Sequence, residues 1–201
     1  MCITMQDQIL SSVLEAQAAI KQLQSPESMA FIDGVSKLLA ETFEEGNKVI
    51  IAGNGGSLCD SMHFAEELTG YFRNARRALP AIALSEPGHL TCVGNDVGFE
   101  SVFSRGVEAY GQAGDLFIGL STSGNSANII RAVEMARSRG LNVVTFLGAG
   151  GKLKGAGDFE LMIDGFASSD RVQEAHMSAI HIIIEMMEAR LFSGQTQVHY
   201  V

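Results

Sequence analysis

Cysteine and proline are scarce in this chain of 201 residues. The three cysteines, Cys2, Cys59 and Cys92, are odd in number and form no CxxC pair. That argues against a disulfide framework and against a thiolate zinc site. A reducing compartment follows, with Cys59 and Cys92 expected as small buried side chains. Three prolines leave no room for a long Pro-rich linker. Basic charge is short as well: 14 Lys and Arg against 23 Asp and Glu give a formal charge of -9. Such a surface works against phosphate backbones and anionic lipids, so neither nucleic acid nor membrane is expected as a partner. Residues 1–24 lack the uninterrupted apolar region of a signal peptide, and no run reaches the roughly 18 apolar residues of a spanning helix. A soluble, cytoplasmic protein is expected.

What is present is enough apolar residue, 46% of the chain, for one sizeable core, and 22 glycines. Residues 1–201 are read as a single domain. Ile9, Val13, Ala16, Ile20 and Leu23 recur at helical spacing, and after Ser25-Pro26 so do Met29, Ile32, Val35, Leu38, Leu39 and Phe43. Two helices therefore fill residues 1–45. From residue 46 on, short apolar runs at 48–52, 81–84, 116–120, 142–147 and 159–163 alternate with helical patterns at 58–73, 87–110 with a break near Gly98, 126–139 and 170–192. This predicts an α/β fold: a three-layer arrangement around a five-stranded parallel sheet. The stretch 148–157 (GAGGKLKGAG) is expected as a flexible loop.

For the flavodoxin-like strand order 2-1-3-4-5, ligands bind where the winding reverses, between the first and third strands. The loops leaving those strands are Gly53-Asn54-Gly55-Gly56-Ser57 and Ser121-Thr122-Ser123-Gly124-Asn125-Ser126. Glycines allow close backbone approach, helix N-termini offer unpaired N–H groups, and hydroxyls add donors suited to a phosphate. Ordinary serine N-caps are the plain alternative. The first loop departs from GxGxxG at Leu58, Glu86 is a poor substitute for the acidic partner, and neither loop has a P-loop lysine.

His63 and Glu67 stand at i and i+4 on one helix face and could share a metal or a substrate; a surface pair is the plain alternative. The last helix carries Asp170, Gln173, Met177, Ile180, His181 and Ile184 along one stripe, so polar groups interrupt a buried face. Gln173 and His181 are separated by a rise of roughly 12 Å, and could just converge on one ion with His63 and Glu67. That N/O set is compatible with zinc or another divalent ion. His89 and His176 read as structural, and Asn95-Asp96 as a ligand contact or an Asx turn.

Together the blocks at 52–70 (AGNGGSLCDSMHFAEELTG), 79–85, 92–105, 120–130 and 170–184 (DRVQEAHMSAIHIII) resemble the sugar isomerase (SIS) family, specifically the phosphoheptose isomerases. The resemblance implies conversion of sedoheptulose 7-phosphate to D-glycero-D-manno-heptose 7-phosphate, on the way to ADP-heptose and lipopolysaccharide core. It implies that Ser121, Thr122, Ser123 and Ser126 hold the phosphate and that Asn54, Gly55, Gly56, Ser57, Asn95, Asp96, Asp170 and Gln173 line the sugar. It places one zinc per subunit on His63, Glu67, Gln173 and His181, and makes Glu67 and His181 the acid/base pair. It further implies a homotetramer with residues 1–45 in the subunit contacts and shared active sites. Non-catalytic sugar-phosphate regulators and isomerases of other sugar phosphates share the fold and are the alternatives. Two positions depart from the family: Tyr71 stands where Arg is usual, with Arg73 the nearest cation, and 148–157 lacks the usual acidic residue before Gly-Gly.

Overall fold

The computed structural model describes residues 3–193, so Cys2 lies outside the described part. The short apolar runs become β1 (Val49–Ala52), β2 (Ala81–Ala83), β3 (Leu116–Ser121), β4 (Asn142–Leu147) and β5 (Phe159–Met162). They pair in parallel, in the order β2-β1-β3-β4-β5. All of β1 and β3 is buried, which is why both read as continuous apolar runs. The winding reverses between β1 and β3, as the sequence pattern anticipates.

The helices are α1 (Met5–Lys21), α2 (Pro26–Glu44), α3 (Gly56–Thr69), α4 (Pro87–Asp96), α5 (Val102–Tyr110), α6 (Ala127–Ser138) and α7 (Ser169–Leu191). Successive strand residues point to opposite faces. Val49 and Ile51 pack with the apolar stripes of α2, α3 and α7. Ile50, Ala52 and Phe117 pack with those of α5 and α6. Ser25 accepts from the Ser28 backbone N–H and Pro26 occupies the first turn, so α2 starts afresh after α1. Gly98, at φ +119, provides the bend between α4 and α5. Among the described residues, no helix is long and apolar enough to cross a membrane.

The α1 stripe forms the expected helix, with Ile9, Val13 and Ile20 exposed and Ala19 alone buried within it. Two expectations change. First, Cys59 and Cys92 are exposed. Second, the stretch 148–157 is docked, not loose: Leu153 is buried and donates its N–H to Gly124 O, and Gly148 N–H bonds Thr122 O. A Cβ on Gly124 would meet Gly150 O at 1.6 Å, and one on Gly148 would meet Thr122 O at 2.2 Å. These glycines let the stretch press its backbone against the serine loop.

Candidate active site at the sheet reversal

The two loops leave β1 and β3 side by side. Gly55, at φ +56, is the N-cap of α3 and takes a conformation that side chains rarely adopt. Gly56 lies under Gln173, since a Cβ there would meet Gln173 Oε1 at 2.6 Å. Gln173 Nε2 donates to the buried Ser57 Oγ at 3.5 Å. The Asn54 side chain forms a closed pair with Asn128 of α6, with bonds of 2.9 and 2.8 Å. That pair bolts the two loops together.

In the serine loop, Ser121 and Ser126 share a hydroxyl bond of 3.0 Å, and Ser126 makes no side-chain cap to its own helix. The plain N-cap reading therefore does not hold for Ser126. Ser123 Oγ accepts from the Asn125 backbone N–H, and both Ser123 and Asn125 are exposed. Thr122 is half-buried beside them.

α3 leaves the first of these loops and packs against α7. His63 and His181 meet with Nε2 to Nε2 at 2.9 Å, and Glu67 Oε1 lies 3.4 Å from His63 Nε2. The donor atoms of His63, Glu67 and His181 all lie within 4.8 Å of one another. The edge of a zinc tetrahedron with spokes of about 2.0–2.1 Å is about 3.3 Å, so the spacing fits a metal ion. Glu66 Oε1 sits 3.0 Å from His63 Nδ1. A carboxylate there holds the proton on Nδ1 and leaves the Nε2 lone pair facing the cluster, the arrangement of a metal-ligating histidine. His181 is stacked on Phe72 at 5.8 Å and meets the His63 ring edge-on at 5.1 Å.

The electrostatics are opposed across the cluster. Burial, with the charge of Glu66 next, holds the Glu67 carboxyl above its ordinary range, and Glu188 adds to this while His63 and Arg76 oppose it. Burial, then His63 and Arg73, hold the His181 imidazole below its ordinary value. A carboxylate pushed up and an imidazole pushed down bring the proton affinities of the two groups closer together, which suits a pair that exchanges protons.

Other expected residues are more scattered. Gln173 contacts Gly56 and Ser57, seven and six residues before His63 along α3. Asp170 is exposed, with its carboxyl held below the ordinary range by the Ser168 hydroxyl. With Asp60, Gln173 and Glu174, it borders an open cleft of about 480 Å³. Asn95 and Asp96 are exposed at the end of α4 and bond to each other. Among the described residues no hydrogen bond joins them to the triad. His176 is buried and bonded to Leu147 O, and His89 bonds Val102 O, both structural as expected. Asp60, Glu66, Arg76 and Asn128 were not singled out from sequence. Asp60 and Glu66 lie three residues either side of His63 and were reachable by helical spacing; Arg76 and Asn128 were not.

Residues 13–148 match the SIS domain family model. A phosphoheptose isomerase of Fusobacterium nucleatum is 56% identical over 185 residues, spanning 92% of this chain and 95% of its own. The chain belongs to the phosphoheptose isomerase family of SIS-domain proteins. Among solved structures, a phosphoheptose isomerase of Neisseria gonorrhoeae has a TM-score of 0.82 at 33% identity, covering 92% of this chain and all, 100%, of that one. That of Francisella tularensis has a TM-score of 0.85 at 31% identity, covering 92% and 98%. In this phosphoheptose isomerase family member Arg73, the cation nearest Tyr71, is engaged: it pairs with Glu185 at 2.6 Å and lies over the Phe72 ring.

Proposed function

We propose that the chain is an aldose-ketose isomerase converting sedoheptulose 7-phosphate to D-glycero-D-manno-heptose 7-phosphate, within heptose supply for lipopolysaccharide core. The observation that carries this reading is the meeting of Glu67 and His181, from separate helices, in a chain 56% identical to a phosphoheptose isomerase. Ser121, Thr122, Ser123 and Ser126 hold the phosphate with the N-terminus of α6, whose dipole and free N–H groups replace basic side chains. The pair Asn54–Asn128 keeps that loop in register with Gly55, Gly56 and Ser57, which line the sugar beside Gln173 and Asp170.

Glu67 takes the proton from C1 of the ketose while His181 gives one to O2, forming an enediol. The pair then returns a proton to C2 and accepts one from O1, leaving the aldose with atoms balanced. His63, Glu67, Gln173 and His181 would hold one zinc ion per subunit, which supplies Lewis-acid stabilisation of the negative oxygen.

The exposed apolar side of α1, with Ile9 at 57% and Leu10 at 58% exposure, supports a homotetramer in which residues 1–45 pack between subunits. Asn95 and Asp96 lie exposed at the end of α4, and we read the sites as completed by a neighbouring subunit. We read residues 1–201 as one domain, working in the cytoplasm.

Purified protein is expected to convert sedoheptulose 7-phosphate and to exchange the C1 or C2 hydrogen with solvent. Binding without turnover, with metal supplied, would establish a regulator instead. Elemental analysis of wild type beside His63→Ala tests the metal site, and equal zinc in both overturns it.

A further inference from the structure

The most heavily bonded buried polar group in the described part lies outside the loops and the triad. Arg76, in the segment between α3 and β2, is only 8% exposed, and Glu188 of α7 only 5%. Arg76 Nε donates to Glu188 Oε1 at 2.6 Å. Its Nη2 donates to the Glu67 carbonyl at 2.6 Å, and its Nη1 to the carbonyls of Leu68, Gly70 and Arg77 at 2.9, 3.0 and 3.1 Å. One planar fork thus closes the C-terminus of α3 and ties it to α7. Glu188 follows His181 by seven residues, about two turns, on the same side of α7.

Burying an ion pair is a poor route to stability, because desolvation offsets the attraction and apolar replacements are often no worse. What such a pair does well is fix one geometry. Here the fixed parts are the backbone of Glu67 itself and the helix that carries His181.

We propose that Arg76 and Glu188 are positioning residues that set the spacing of Glu67 and His181 by bolting α3 to α7. This rests on the isomerase reading given above. The phosphate is held on the far loops, so loosening the bolt disturbs the proton-transfer geometry and leaves substrate capture largely intact. A misplacement of about 1 Å is enough to cost about a hundredfold in rate.

The test uses Arg76→Lys, which keeps the charge and loses the fork, and Glu188→Gln, which keeps the shape and loses the charge. Folded variants, checked by circular dichroism and oligomer size, are expected to lose about 10- to 100-fold in kcat with KM within about threefold of wild type. Zinc affinity, measured by competition with a chromophoric chelator, is expected to fall about tenfold, as for other groups that orient ligands. Folded Arg76→Lys and Glu188→Gln with wild-type kcat and wild-type zinc affinity overturn the proposal, whatever happens to Tm. Should wild type itself fail to isomerise, the isomerase reading falls, and the zinc competition still decides whether the bolt sets the donor spacing.

Discussion

The two faces of the sheet are built on different terms. On one, α5 and α6 cover Ile50, Phe117 and Val143 with Val102, Phe103, Val107 and Ile129, an apolar layer closed to solvent. On the other, α3 and α7 cover Val49 and Ile51 with an apolar layer too, but the helix seam also carries His63, Glu67, Gln173, His181, Arg76 and Glu188. The first face holds the molecule together. The second gives up part of its apolar contact to place charged groups where two helices can fix them.

The sharpest way to break the contrast is to remove chemistry from the second face while keeping its shape. Glu67→Gln is expected to lower kcat by about 10²–10⁴-fold, the usual weight of a positioned acid or base, with little change in Tm. Phe103→Ala should do the reverse on the first face. It opens a cavity at a residue 2% exposed and is expected to cost about 3–5 kcal/mol, read by urea unfolding, while the folded fraction keeps wild-type kcat.

His176 sharpens the comparison, since it shares α7 with His181 but is sealed against Phe146 and Leu147 O. Burial pulls its imidazole down from 6.5 to about 4. The unfolded chain therefore takes up the proton first. The stability gained from keeping His176 neutral is whole above pH 6.5 and is lost as the pH falls toward 4. The loss amounts to about 3 kcal/mol at most. His176→Gln is expected to flatten the Tm-versus-pH curve between pH 6.5 and 4; an unchanged slope would remove His176 as its source.

The smallest effect is set for Asp60, on the α3 side facing the cleft. Burial pushes its carboxyl up to about 6, against the pull of His63, and its Oδ2 is buried without a partner. With the folded value raised from 3.8 to about 6, the cost to the native state builds as the pH rises between those values and is full above 6. Asp60→Asn is expected to raise Tm at pH 8 by about 2–4 °C, corresponding to about 1 kcal/mol after solvent screening, and by less at pH 5.

Much of this was legible in the residues. The apolar runs at 48–52 and 116–120, alternating with helical patterns, announced a parallel sheet covered on both faces, and β1 and β3 are buried throughout. His63 and Glu67 were visible as one helix face, and His181 as an interruption of a buried stripe. The docking of 148–157 was not legible, because its glycines look the same whether they confer mobility or allow backbone contact. What covers the exposed stripe of α1 was not legible for a related reason: amphipathic spacing says that a face will be covered, never by what.

Sequence by itself determined the order of strands and helices along the chain and the two polar loops, since these follow from local periodicity and turn chemistry, whereas the neighbours in the sheet, and with them the reversal between β1 and β3, were set by tertiary pairing. Tertiary structure alone decided that His63 meets His181 across 118 positions of chain, that Asn54 is paired with Asn128, and that one arginine joins the Glu67 carbonyl to Glu188. Those are contacts between side chains distant in sequence, and no local pattern encodes a distance that only the packing of α3 against α7 creates.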